Sequence, residues 1–171
     1  MIAVSDAADA YQKADLPVEL VQRSVIFLKP NILIILDRIQ LSEPRSVQVR
    51  YQVYNGDDHG AAATCEHGFS ITRPHAGLHA QVATRQTRTI EVKHLPIGDD
   101  KAHYPFVEVS CPESNSHEIL TVCTAAPNGI DHGKLEISHA ENKWNITGSH
   151  LRQSVQCSLT TQPEAIPVII L

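Results

Sequence analysis

The chain has 171 residues, with 14 Lys plus Arg against 19 Asp plus Glu and a formal net charge of −5. That length suits one domain with a core of its own, and the acidic balance lacks the basic stripe that backbone-driven nucleic-acid binding demands. The longest strongly apolar run, Ile32 to Leu36, stops at Asp37 and Arg38, far short of the roughly 20 residues of a membrane-spanning helix.

Met1 to Asp6 has neither the basic nor the greasy region of a leader, and Asp6 and Asp9 lie where such a segment would be apolar. No export signal is expected. Ala7 to Ala14 is the one stretch compatible with a helical turn or two. Arg23 to Lys29 and Ile32 to Ile39 are β-branched runs parted by Pro30-Asn31, where proline cannot donate to a ladder, so two consecutive strands are expected. From Ser46 to Tyr54, Val47, Val49, Tyr51 and Val53 alternate with polar residues, as in a strand with one face buried. Asn55 to Gly60 then supplies residues that tolerate positive φ and close Asx turns, so the chain should reverse there.

Further short strands are predicted at Gly68–Thr72, Leu78–Ala83, Thr89–Val92, Phe106–Cys111, Glu118–Ala125, Lys134–Ser138, Lys143–Thr147, Ser154–Leu159 and Val168–Leu171. Ile97–His103 and Pro127–Gly133 read as loops rich in polar residues and turn formers, where mobility is expected. The predicted fold class is all-β, an antiparallel β-sandwich of about a dozen strands forming a single domain over residues 1–171.

Cys65, Cys111, Cys123 and Cys157 include no close pair, which suits free thiols in strands. Ten histidines invite a search for metal sites. His75 and His79, if extended, would lie about 13 Å apart and could not share an ion. His59 with Asp57 and Asp58 offers a loop site for a cation or a solvated turn. No nucleophile elbow, phosphate loop or dinucleotide fingerprint occurs. Tyr11 is either a general acid–base group or a half-buried strand residue; Trp144, Tyr51 and Tyr54 are candidate sugar platforms, with a core role the alternative for Trp144.

The N-terminal third carries a more specific signal. Asp6-Ala7-Ala8-Asp9-Ala10-Tyr11, then Arg23-Ser24-Val25-Ile26-Phe27-Leu28-Lys29-Pro30, then Ile32 to Arg38 follow one another in an order that resembles the heparinase II/III-like polysaccharide lyases. The likeness is specific over about residues 4 to 54; beyond that, segments such as Phe69 to Pro74 and Glu118 to Cys123 match only in pattern. It implies the C-terminal β-sandwich of an enzyme that joins a helical toroid to that sandwich and cleaves uronate-containing polysaccharides by β-elimination. In that family the catalytic tyrosine and histidines and the zinc ligands belong to the toroid and the start of the sandwich, and no residue of this chain matches those positions. The resemblance therefore implies no catalytic residue and no zinc or other cofactor in this chain.

The expected function is a non-catalytic or incomplete β-sandwich portion of such a lyase, with an independent carbohydrate-binding or structural β-module as the alternative. Tyr11, Arg23, Arg50 and Tyr54 are the candidate substrate-binding residues, on motif position and strand alternation. An acidic polysaccharide in the full-length context is the expected partner, with a homodimer through exposed sheet edges a further expectation. By resemblance, the full-length lyase would be periplasmic or secreted.

Overall fold

The computed structural model describes residues 1–95 and 104–160, together with the backbone of residues 169–170. The loop expected at Ile97–His103 therefore lies outside the described residues, as do the two ends of the strand expected at Val168–Leu171. Among the described residues, the regular structure apart from one short helix is all strand, and every strand pairing is antiparallel. The chain falls into two units, Met1–Asn128 and Gly129–Leu171.

The first unit opens with β1 (Ile2–Asp6), the short helix α1 (Ala8–Gln12) and β2 (Val18–Leu28). β1 is exposed along its whole length and leaves no burial pattern in the sequence; backbone pairing to β2, from Ile2 opposite Ile26 to Asp6 opposite Gln22, is what makes it a strand. Asp6 Oδ1 accepts from the N–H groups of Ala8 and Val21, at 2.9 and 3.3 Å, and so ties the start of the helix to β2. The break expected at Pro30 is present, and β3 (Ile32–Gln52) returns along β2 with Leu28 opposite Ile32.

Next come β4 (Ala61–Cys65), β5 (Gly68–Thr72), β6 (Ala76–Thr84), β7 (Thr89–Leu95) and the long β8 (Tyr104–Pro127). The sheet runs β1-β2-β3-β8-β6-β5-β4, with β7 also paired to β8. Two expectations change here. The strands predicted at Ile32–Ile39 and Ser46–Tyr54 are one strand, as are those at Phe106–Cys111 and Glu118–Ala125. Pro44 and Pro112 interrupt the sequence pattern without ending the strands, because both fall where the β3–β8 register is irregular and the ladder needs no donor from them. Side chains make up the lost pairing: His117 Nε2–H donates to the carbonyls of Arg45 and Ser114 at 2.9 and 3.1 Å, and Asn115 Nδ2 to that of Leu41 at 3.1 Å.

At this irregularity the ladder doubles back. Tyr51 stands opposite Val107, yet its hydroxyl meets Thr121 Oγ1 at 2.6 Å. In a straight strand residues 107 and 121 would be about 46 Å apart. The far half of the ladder therefore lies over the near half, and the two layers share one core. Val49, Val107, Val109 and Cys111 of one layer meet Phe69, Ala80, Val82, Ile119 and Cys123 of the other. The alternation read at Ser46–Tyr54 is present, with Val49 and Val53 buried and Gln48, Arg50 and Tyr54 exposed. Gly68 is required in this core, since a Cβ there would run into the carbonyl of Ala80.

The second unit is a four-stranded sheet in the order β12-β11-β10-β9, formed by β9 (Leu135–Ala140), β10 (Lys143–His150), β11 (Gln153–Thr160) and β12 (Ile169–Ile170). Trp144, Ile146, Cys157 and Leu159 are buried. Its tight turns place Glu141-Asn142 at φ 50° and 59° and Leu151-Arg152 at φ 48° and 65°. Both are primed hairpin turns, which suit the strand twist but strain residues bearing a Cβ. Replacing Leu151-Arg152 with Asn-Gly should therefore raise stability by about 1 kcal/mol. The sole tryptophan, Trp144, lies in β10 and reports this unit by fluorescence; a urea midpoint that falls would show the native pair to be favoured by contacts that outweigh the turn.

Candidate functional site

A cleft of about 900 Å³ opens in the first unit, walled by the β1–α1–β2 corner on one side and by residues 45–50 of β3 on the other. Strand alternation puts Val21, Arg23 and Val25 of β2 on one face, and register brings Asp37 and Ile39 of β3 beside them. Arg23 and Asp37 are equidistant from Pro30, so the hairpin makes them direct cross-strand partners. Arg23 grips Asp37 through two hydrogen bonds, Nε to Oδ1 at 2.6 Å and Nη2 to Oδ2 at 3.0 Å. The Asp37 side chain is only 8% exposed, against 46% for Arg23. The carboxylate holds the guanidinium above its ordinary pKa, whereas burial pushes the Asp37 carboxyl up against the pull of Arg23.

Tyr11 is 43% exposed on α1 and also lines the cleft, near enough for its phenol to add to the field at Arg23. Arg50 enters from β3. Its Nε donates to Glu108 at 2.8 Å, its Nη2 to Gln48 at 3.1 Å, and its guanidinium lies 5.4 Å from the Phe106 ring centre. Glu108 is buried and also takes Lys93 at 2.5 Å; Lys93 first, then Arg50, holds its carboxyl below the ordinary value. Arg45 completes the polar rim and pairs with Glu43 at 3.1 Å.

Among the described residues, no strand pairs with the β3 wall on its outer edge. The N–H of Val53 donates to the carbonyl of Pro105, so in this antiparallel register Val47, Val49 and Tyr51 are the residues bonded to β8. The backbone groups of Gln48 and Arg50 then point the other way, where β2 no longer pairs.

Three of the four expected residues, Tyr11, Arg23 and Arg50, thus line one cleft, while Tyr54 lies outside it. Tyr54, two residues beyond β3, is 67% exposed, with the Arg73 guanidinium 5.3 Å from its ring centre. Arg73 is fixed by Asp57 at 2.8 and 2.6 Å and by the Tyr54 carbonyl at 3.0 Å. Both Asp57 oxygens are therefore committed to Arg73, and among the described residues no group of three or more His, Cys, Asp or Glu is placed to hold a metal. Trp144 is buried with its ring against His139, so it offers no open platform. Cys65 is exposed and the other three cysteines are buried; all four are free, and burial pushes the Cys123 thiol up to about 12. Sequence reasoning missed Asp37, Arg45 and Glu108. The carboxylate that ends an apolar run, set symmetrically to Arg23 about Pro30, was the available signal for Asp37.

No family model matches the sequence, and no curated protein matches it. Solved structures do, among them heparan sulfate lyase and heparinase III structures. The heparan sulfate lyase HepC from Pedobacter heparinus is similar over 88% of this chain, with a TM-score of 0.66 and 12% identity. A heparinase III is similar over 93%, with a TM-score of 0.60 and 15% identity. A further heparinase III structure is similar over 93%, with a TM-score of 0.60 and 11% identity. The fold is thus that of part of a heparinase III chain, and the present chain spans about 25% of the length of each.

Two outcomes test this geometry. Arg23→Met strands a buried carboxylate and should cost about 2–4 kcal/mol near neutral pH, whereas Asp37→Asn leaves a half-exposed arginine that hydrates and should cost about 1 kcal/mol. With the folded-state pKa of Asp37 raised, the site favours folding more in acid, so the Arg23→Met deficit in urea denaturation should shrink as pH falls from about 7 toward about 4. Equal costs for the two variants would show that the fold does not desolvate Asp37. At the other cluster Arg73 pulls Asp57 down to about 2. Its stabilisation is present above the ordinary value of 3.8 and lost as pH falls toward about 2, and Arg73→Met should return the midpoint, followed by carboxyl-carbon NMR, to near 3.8.

Proposed function

We propose that this chain is the non-catalytic or incomplete β-sandwich portion of a polysaccharide lyase acting by β-elimination on uronate-containing polysaccharides. The observation that carries this reading is the convergence of Tyr11, Arg23 and Arg50 on one cleft, in a fold similar to heparan sulfate lyases. The cleft would line the polymer's path.

β-Elimination requires a neutralised carboxylate, a base and an acid fixed around a single sugar. Among the described residues, those lining the cleft include one tyrosine, Tyr11, and no histidine, and the Arg23 guanidinium is already committed to Asp37. A single tyrosine would be at most half of an acid–base pair, so the chain by itself should be silent, with the reacting groups supplied by another part of the enzyme. A second reading, an independent carbohydrate-binding module, is favoured by the exposed Tyr54 ring held in place by Arg73.

The test is unsaturated-product absorbance from a panel of uronate polymers. The chain alone should give none, and a mixture with a separately expressed helical toroid and sandwich start from a related lyase should give activity. Product from the chain alone would overturn the non-catalytic reading, and silence in both would favour the independent module.

A further inference from the structure

Three arginines line the cleft, Arg23, Arg45 and Arg50, and its described lining has no lysine and no histidine. Each guanidinium is already matched: Arg23 to Asp37, Arg45 to Glu43, Arg50 to Glu108. Asp15 adds a further carboxylate to the lining. The matching is also geometric. A carboxylate or sulfate is best gripped by two parallel N–H groups of one guanidinium. Arg23 spends Nε and Nη2 on Asp37, and Arg50 spends the same two nitrogens on Glu108 and Gln48. An anion that took Arg23 away would leave Asp37 buried and unpaired, the costly half of a broken ion pair.

What the cleft does offer suits hydroxyl groups. The open edge of β3 presents the backbone N–H and C=O of Gln48 and Arg50, donors and acceptors side by side, and a hydroxyl both gives and accepts. An anion, being acceptor-only, would be repelled by those carbonyls. Val21, Val25 and Val47 supply apolar contact for C–H faces, and the half-exposed Tyr11 ring stands beside them.

Resting on the polysaccharide reading above, we infer that this cleft takes the uncharged sugar units of the polymer and leaves the acidic ones to be held elsewhere. Arg23 and Arg50 act here as fixed hydrogen-bond donors in a charge-balanced site, through the nitrogens that their carboxylates leave over.

The test uses the full chain, ¹⁵N-labelled, titrated with a neutral N-acetylglucosamine tetramer and with a tetramer of galacturonate. The neutral tetramer should shift the amides of Val21, Arg23, Gln48 and Arg50, with an affinity unchanged between about 0.01 M and about 0.3 M salt. Tyr11→Ala should weaken it about tenfold, as should Gln48→Pro, which removes an outward N–H without breaking the ladder. The amide spectrum of each variant verifies its fold. Tighter binding of the galacturonate tetramer at the same amides, lost with added salt, would overturn the inference and leave the polysaccharide cleft standing. Absence of shifts with either probe at millimolar concentration would overturn the cleft as a sugar site altogether.

Discussion

The first unit depends on the bend in the β3–β8 ladder. Two strands of 21 and 24 residues, laid straight, would make a ribbon with an apolar face and nothing to cover it. The irregular register around Arg45 breaks the ladder, Pro44 and Pro112 sit where no donor is needed, and His117 and Asn115 supply bonds to carbonyls that the ladder leaves open. One sheet thereby becomes both layers of its own core. β2 begins at Val18, opposite Leu41, so it does not follow β3 past the bend, and residues 45–50 of β3 are left to wall the cleft.

Core and cleft meet at Arg23 and Asp37. Asp37 lies one strand from Thr121, which receives Tyr51 from the opposite layer, so the carboxylate borders the packed interior on one side and the cleft on the other. Its burial and its exposure to a ligand path are the same geometric fact. A guanidinium at this border serves two ends: it satisfies the buried carboxylate and presents its remaining face to the cleft. Arg50 and Glu108 repeat the arrangement on the other wall, with Lys93 as a second cation.

Much of the fold was legible where one face of a strand is buried. Val47, Val49, Tyr51 and Val53 announced their strand because burial imposes a period of two. β1 and β4 were not, since β1 is exposed throughout and the Ala-rich β4 is an edge held by backbone pairing to β5. The union of predicted strands into β3 and β8 escaped because prolines read as punctuation, and only the partner strand shows that no donor was needed there. Tyr11, Arg23 and Arg50, which share the cleft, were chosen on motif position and alternation. Their carboxylate partners were not, because Asp37 and Glu108 become partners only through register between segments distant in sequence.

The Tyr51–Thr121 hydrogen bond joins residues 70 apart in sequence, and all of β4 to β7 lies between them. Closing that span carries a loop entropy that no local turn can offset in advance. The β4–β5–β6 meander has short connections and can form early, but the layered core exists only once β8 has found β3 along its whole length. Topologies of this kind assemble slowly, and the valines of β3 stand uncovered until the last strand arrives. The arrangement that gives the cleft its β3 wall thus also sets the pace at which the protein reaches its native state.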